Sequence, residues 1–201
     1  MIKNLILDFG DIFINLDKQS TPRALAKLGL EKPTKELTKL CEAYEKGNCS
    51  SSKFLKDLTT YFPNSVESEL TKAWNAILLD FPEYRLEFLE ELAKEKTYRL
   101  FLLSNTNDIH ITYVKQLMGT LKYQRFQEAF EHFYLSYEMG MRKPDLEIFE
   151  FVLEKHQLIP EETLFVDDTK ENTDAAAKTG IQIWNLLVGQ EDIIELKSKL
   201  K

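Results

Sequence analysis

Two apolar runs in this chain stop abruptly in acid, and no other feature restricts the fold as much. Ile6-Leu7 ends in Asp8, and Phe165-Val166 ends in Asp167-Asp168. An apolar run of strand length closed by a carboxylate reads as a buried strand that delivers the acid to the end of a sheet. A third run, Arg99–Leu103, ends in Ser104-Asn105, and Lys143 follows it within the segment MRKP. Carboxylates, a hydroxyl, an amide and a lysine gathered at one sheet edge are the parts of a magnesium-dependent phosphate site.

The spacing between these points sets the architecture. Residues 2–7 read as a strand bounded by the turn-like Gly10 and Asp11. From about Thr21 to Leu79 the apolar residues recur at helical intervals, with Leu25 and Leu28, then Leu37, Leu40 and Tyr44, then Phe54 and Leu58, then Leu70 and Trp74. Ser20 or Thr21 with Pro22 is a helix start, and Asp80-Phe81-Pro82 closes the stretch. Strands and helices then alternate. Helices are expected over 83–96, 108–118, 146–156 and 171–178, and strands over 98–103, 133–136, 163–166 and 181–186. That alternation predicts an α/β fold with a doubly wound parallel sheet, and a small helical cap inserted after the first strand. The expected core comprises residues 1–16 and 81–201, and the cap residues 17–80.

Charge and cysteine content narrow the function. Thirty-three acidic residues against 26 basic ones give the 201-residue chain a net charge of −7. A surface of that sign does not suit a nucleic-acid backbone, although a local basic pocket can still hold a small phosphorylated metabolite. The two cysteines, Cys41 and Cys49, form no C-x-x-C pair, so a reducing cytoplasm is the expected compartment. The first apolar run is broken at Asp8, too early for a signal peptide or a membrane span. The expected partner is a small-molecule phosphate ester, with no nucleic acid and no membrane, and the expected state is a monomer or weak homodimer.

The phrases LDFGDIFINLD, YEKGNCS, LLSNTN, YLSYEMGMRKPDLEIFEFVL and FVDDTKENTDAAAKTG, in this order, resemble the haloacid dehalogenase-like hydrolases along nearly the whole chain. The likeness is to the branch with a D-F-G first motif, which contains small phosphatases of sugar phosphates such as glucose 1-phosphate. This resemblance implies a nucleophile at Asp8, forming an aspartyl-phosphate. It implies a magnesium ion held by Asp8, the Gly10 carbonyl and Asp168. Ser104 and the Asn105 backbone would bind phosphoryl oxygens, and Lys143 would neutralise charge on nucleophile and phosphate. Asp167 and Asn172 would orient the metal shell from outside it. The helical insertion corresponds to the family's cap, and Glu45-Lys46-Gly47-Asn48 to its substrate-facing loop or, equally, to a plain helix stop.

One part is absent. Phosphatases of the family carry a second aspartate two residues after the nucleophile, as the acid for the leaving oxygen, and here that position is Gly10. A positioned acid is worth about 10²–10⁴-fold. A good leaving group, such as an anomeric oxygen, needs less protonation. The alternatives are a phosphate-binding regulator without turnover and a 2-haloacid dehalogenase, which needs no such acid. His110, His132 and His156 show no ligand spacing, and Trp74, Phe54 and Tyr44 read as the core of the helical insertion.

Overall fold

The computed structural model describes residues 1–30, 32 and 34–200. Its sheet has five parallel strands, β1 (Asn4–Leu7), β2 (Arg99–Ser104), β3 (His132–Leu135), β4 (Thr163–Asp167) and β5 (Gln182–Asn185), in the order β3-β2-β1-β4-β5. The doubly wound parallel sheet expected from the alternation is therefore present. The first strand is central because both its faces are apolar: Leu5 and Leu7 join one core cluster, and Ile6 joins the other. Helices α5 (Glu83–Glu95), α6 (Asp108–Met118) and α7 (Thr120–Glu128) cover the first face with Leu86, Leu89, Val114 and Phe126. Helices α9 (Leu146–His156) and α10 (Lys170–Ala177) cover the second with Phe149, Val152 and Ala176.

Strand register assembles the sheet edge. Leu7 pairs with Leu102 on one side and with Val166 on the other. One step further along each strand stand Asp8, Leu103 and Asp167, and the Asp8 amide donates to the Val166 carbonyl at 2.9 Å. A shift of one residue would turn these side chains to the opposite face, so the apolar pattern of three strands fixes the acids' positions.

Between β1 and β2 lie α1 (Ser20–Lys27), α2 (Lys35–Glu45), α3 (Ser51–Thr59) and α4 (Glu67–Asn75). Thr34 and Ser50 cap α2 and α3 through the amides of Leu37 and Lys53, which fixes where those helices begin. The four helices close around Leu25, Leu37, Phe54, Leu58, Leu70 and Trp74. Tyr44 stacks on Phe54 with ring centroids 4.1 Å apart, as expected of core residues. The chain segments entering and leaving this helical module run side by side, Asn15 and Leu79 exchanging a bond of 2.9 Å.

Three polar contacts seat the module on the sheet domain. Tyr44 Oη accepts from the Ile109 amide at 3.2 Å, and Trp74 Nε1 donates to Asn107 Oδ1 at 3.3 Å. His110 bridges to the Trp74 carbonyl through Nε2 at 3.2 Å and to Asn107 Nδ2 through Nδ1 at 3.1 Å. These partners assign the neutral Nε2–H tautomer, since Nδ1 must accept.

Two elements differ from expectation. Residues 119–131 carry no assignment from the sequence, yet α7 forms there; only Tyr123 and Phe126 are buried in it, too thin a stripe to read as periodicity. The strand expected at 133–136 lies at His132–Leu135, because Ser136 opens a one-turn helix, α8 (Ser136–Met139). A last short helix, α11 (Leu196–Lys199), packs Leu196 into the first core cluster. Among the described residues no helix is long and apolar enough to cross a membrane.

Burial pushes the His110 imidazole down from about 6.5 to about 4. Its folded-state value lies below that of the unfolded chain, so the stabilisation is complete above about 6.5 and is lost as pH falls toward 4. Between pH 7 and about 4.5, His110→Gln is expected to lose about 2 kcal/mol less stability than the wild type in urea unfolding. The same pH dependence in both proteins would disprove this role.

Candidate active site

Lys143 is the centre of the sheet edge. Its side chain is 1% exposed, and its ammonium donates to Asp8 Oδ1 at 2.6 Å, Asp167 Oδ2 at 2.7 Å and the Leu103 carbonyl at 2.8 Å. A lysine has three donors, and here all three are used on the ends of β1, β4 and β2. Burial works against the charge, but the carboxylates of Asp167 and Asp8 outweigh it and raise the Lys143 pKa. The lysine therefore stays a cation.

The loop that brings Lys143 here is held by Asn105. Its Nδ2 donates to the Lys143 carbonyl at 2.7 Å and its Oδ1 accepts from the Lys143 amide at 2.9 Å. The Asn105 side chain is thus spent on the loop, leaving its backbone for a ligand. Neighbouring Ser104 is buried at the end of β2, beside it. Asn107, not Ser104, caps α6, accepting from the His110 amide at 3.0 Å.

The two consecutive acids have different surroundings. Asp167 is fully buried, and its carboxylate accepts from Lys143, from Asn172 Nδ2 at 3.0 Å and from the Thr169 amide at 2.8 Å. Its oxygens are already used by the chain. Asp168 lines the cleft and takes the ammonium of Lys18. Burial raises the Asp168 pKa, with Lys18 pulling the other way. For Asp8, burial raises the pKa, Lys143 opposes it, and nearby Asp167 raises it further. Among the described residues no side chain donates to Asp8 Oδ2, the Lys143 bond going to Oδ1.

Carboxylate oxygens of Asp8, Asp167 and Asp168 lie within 4.8 Å of one another. An all-oxygen donor set suits a hard divalent cation, and the ammonium drawn to Asp168 marks the place as one that favours positive charge. Gly10 borders the same cleft of about 350 Å³, together with Asp8, Asp168 and Asn172. The residues present fit a magnesium ion.

Reasoning from sequence singled out Asp8, Gly10, Ser104, Asn105, Lys143, Asp167, Asp168 and Asn172, and the fold gathers all of them at one edge. Lys18 and Leu16 border the same cleft without a motif to mark them, and Arg142, next to Lys143, borders it too. Arg142 turns away from Asp8 to Glu45 of the helical module, Nη2 to Oε2 3.0 Å. A Cβ on Gly10 would come within 2.7 Å of Leu16 Cδ1, so a leucine methyl fills the space where a side chain at position 10 would go. Asp11 offers no substitute. Its backbone is left-handed at φ 56°, its Oδ1 accepts from the Leu16 amide at 2.9 Å, and its Oδ2 lies 3.4 Å from Lys18. No local periodicity announces such contacts, because each joins segments far apart in sequence or depends on a turn.

Comparison with known proteins matches residues 50–180 to the family of haloacid dehalogenase-like hydrolases. The D-ribitol-5-phosphate phosphatase of Bacteroides thetaiotaomicron is 31% identical over 188 residues, which cover 90% of this chain and 90% of that protein. A solved HAD family enzyme of Bacteroides thetaiotaomicron, a mutant in complex with magnesium and inorganic phosphate, is 34% identical with a TM-score of 0.83, covering 95% of this chain and 96% of that one. A HAD-like family hydrolase of Porphyromonas gingivalis is 26% identical with a TM-score of 0.82, covering 100% and 98%.

Replacing Lys143 by methionine, which keeps its length, leaves Asp8 and Asp167 facing each other unneutralised. Loss of about 3–5 kcal/mol of stability at neutral pH is expected. Burial already raises the Asp8 carboxyl and Lys143 opposes that rise, so without the cation Asp8 is pushed higher still, and the deficit shrinks as pH falls and grows as it rises. Urea unfolding across pH checks this; a deficit independent of pH would contradict the charge argument.

Proposed function

The chain belongs to the haloacid dehalogenase-like hydrolases, and we propose that within this family it is a magnesium-dependent phosphatase of small sugar or polyol phosphates. The observation that carries the reading is the buried ammonium of Lys143 clamped between Asp8 and Asp167, with Asp8 Oδ2 left without a side-chain donor among the described residues. One oxygen of Asp8 is neutralised and held, and the other remains to attack. The names of its relatives support the substrate class, since a D-ribitol-5-phosphate phosphatase matches along 90% of the chain.

In this reading Asp8 attacks the phosphorus of a bound monoester, the bond to the leaving oxygen breaks, and an aspartyl-phosphate forms. Water then attacks that phosphorus, releasing inorganic phosphate and restoring the Asp8 carboxylate. Lys143 spreads its positive charge over Asp8 and the incoming phosphoryl oxygens. The Ser104 hydroxyl and the Asn105 amide donate to the same oxygens. Such transfer depends on in-line placement and charge neutralisation, which a rigid sheet edge supplies. Asp8, the Gly10 carbonyl and Asp168 would hold magnesium, which neutralises phosphoryl charge when bound. Lys18 must then give up Asp168 and becomes free to meet the substrate. Asp167 and Asn172 fix the geometry behind these ligands. Residues 17–80 serve as the cap that shields the site from bulk water.

Asp8→Asn keeps the shape of the nucleophile and removes its reactivity. It is expected to abolish magnesium-dependent phosphate release from D-ribitol 5-phosphate and from 4-nitrophenyl phosphate, at least about 10³-fold, with the thermal transition of a folded protein retained. Release that persists in the mutant would overturn the assignment.

A further inference from the structure

The leaving oxygen of an unactivated alcohol needs a proton, and the side chain that the family uses is replaced by Gly10 with Leu16 packed into its place. Asp11 is occupied by the Leu16 amide and Lys18. A second small cavity, of about 110 Å³, adjoins the phosphate cleft. Gly10, Leu16, Ser104 and Asn105 form its floor, and Glu45 and Ile77 of the helical module form its roof. Ser104 and Asn105, the residues that would hold the phosphate, line this cavity themselves, and Glu45 is the one carboxylic acid on its wall among the described residues.

We propose that Glu45 protonates the leaving oxygen, taking the part that position 10 cannot play; the inference rests on the phosphatase reading above. Glu45 is held in place by two independent restraints. Ser136 Oγ donates to its backbone carbonyl at 2.7 Å. Two residues on, Gly47 packs so tightly that a Cβ would lie 2.0 Å from the Tyr137 carbonyl oxygen, and its φ of +70° suits glycine. The side chain is equally defined. Arg142 donates to Oε2 from Nε at 3.1 Å, while among the described residues no group donates to Oε1. One oxygen orients the carboxyl and the other is available to carry the proton.

The charged neighbours of Glu45 are few. Arg142 faces it from the sheet domain and favours the anion, and Glu42, 3.8 Å from Arg142, favours the acid. Lys46 is turned away to Asp145, and His110, across the cavity, is neutral with both nitrogens engaged. Burial outweighs Arg142 and raises the Glu45 carboxyl above its ordinary value, which keeps more of it protonated. As Asp8 bonds to phosphorus, the phosphorus–oxygen bond to the alcohol breaks and its electron pair takes the Glu45 proton. The alcohol departs and Glu45 remains as a carboxylate. The water that attacks the aspartyl-phosphate next gives its proton to that carboxylate, which restores the acid.

The test compares Glu45→Gln with wild type on D-ribitol 5-phosphate and on 4-nitrophenyl phosphate, with magnesium and across pH. Glutamine keeps the contact with Arg142, and inhibition by inorganic phosphate reports that the site is intact. Expected is a fall in kcat of about 10²-fold or more on the polyol phosphate, little change on the aryl phosphate, and, in the variant, no counterpart of the alkaline decline of kcat that an acid at Glu45 gives the wild type. A change in KM alone, or equal losses on both substrates, would overturn the proposal and leave Glu45 as a binding or packing residue. Wild type that releases phosphate from neither compound would overturn the phosphatase reading as well.

Discussion

Everything at the sheet edge depends on one buried ammonium. Lys143 reaches the ends of three adjacent strands at once, and its three hydrogen bonds close on two carboxylates and a carbonyl. A lysine so deep in the protein could not remain charged without them, and two buried carboxyl groups so near each other repel unless a cation stands between them. The arrangement is therefore self-consistent only as a unit. It also leaves a net negative edge, with Asp168 beyond it, where a divalent cation and a phosphate can be added together.

The site is asymmetric about Asp8. On the side of β4, Asp167 and Asn172 form a polar network in which both carboxylate oxygens of Asp167 are hydrogen-bonded. On the side of the helical module, Leu16 takes the space beside Gly10 and makes an apolar wall. A phosphate would therefore lie on charged and polar groups, while the alcohol it carries meets leucine, isoleucine and the Glu45–Arg142 pair. In the proposed function, this division would separate binding of the common group from selection of the variable one.

The helical module adds more than cover. Glu45 to Arg142, Lys46 to Asp145 and Ser51 to Asp108 tie its loop to the sheet domain, while Tyr44 and Trp74 anchor its core to the start of α6. Since only Thr106 and Asn107 separate Ser104-Asn105 from the start of α6, the contacts that seat the module also brace the turn that holds those two residues. Position and chemistry are coupled through a few residues of backbone.

The sequence by itself determined the sheet and its acids. Alternating burial on two faces leaves a parallel sheet as the solution for Leu5–Leu7, Leu100–Leu103 and Leu164–Val166, and the polar residues that end these runs must then fall at one edge. It also marked the helical insertion, because a period near 3.6 survives through Leu25 to Trp74. It left α7 unread, since two buried aromatics make no period, and it left Lys18, Leu16 and the Glu45–Arg142 pair unread for another reason. Those contacts arise where a left-handed turn at Asp11 brings Leu16 back over Gly10, and where residues about a hundred positions apart meet across two packed bodies. Hydrophobic periodicity is local and one-dimensional, so it fixes elements and their faces. Which charge meets which, and what fills the space beside a glycine, is decided only when those elements close on one another.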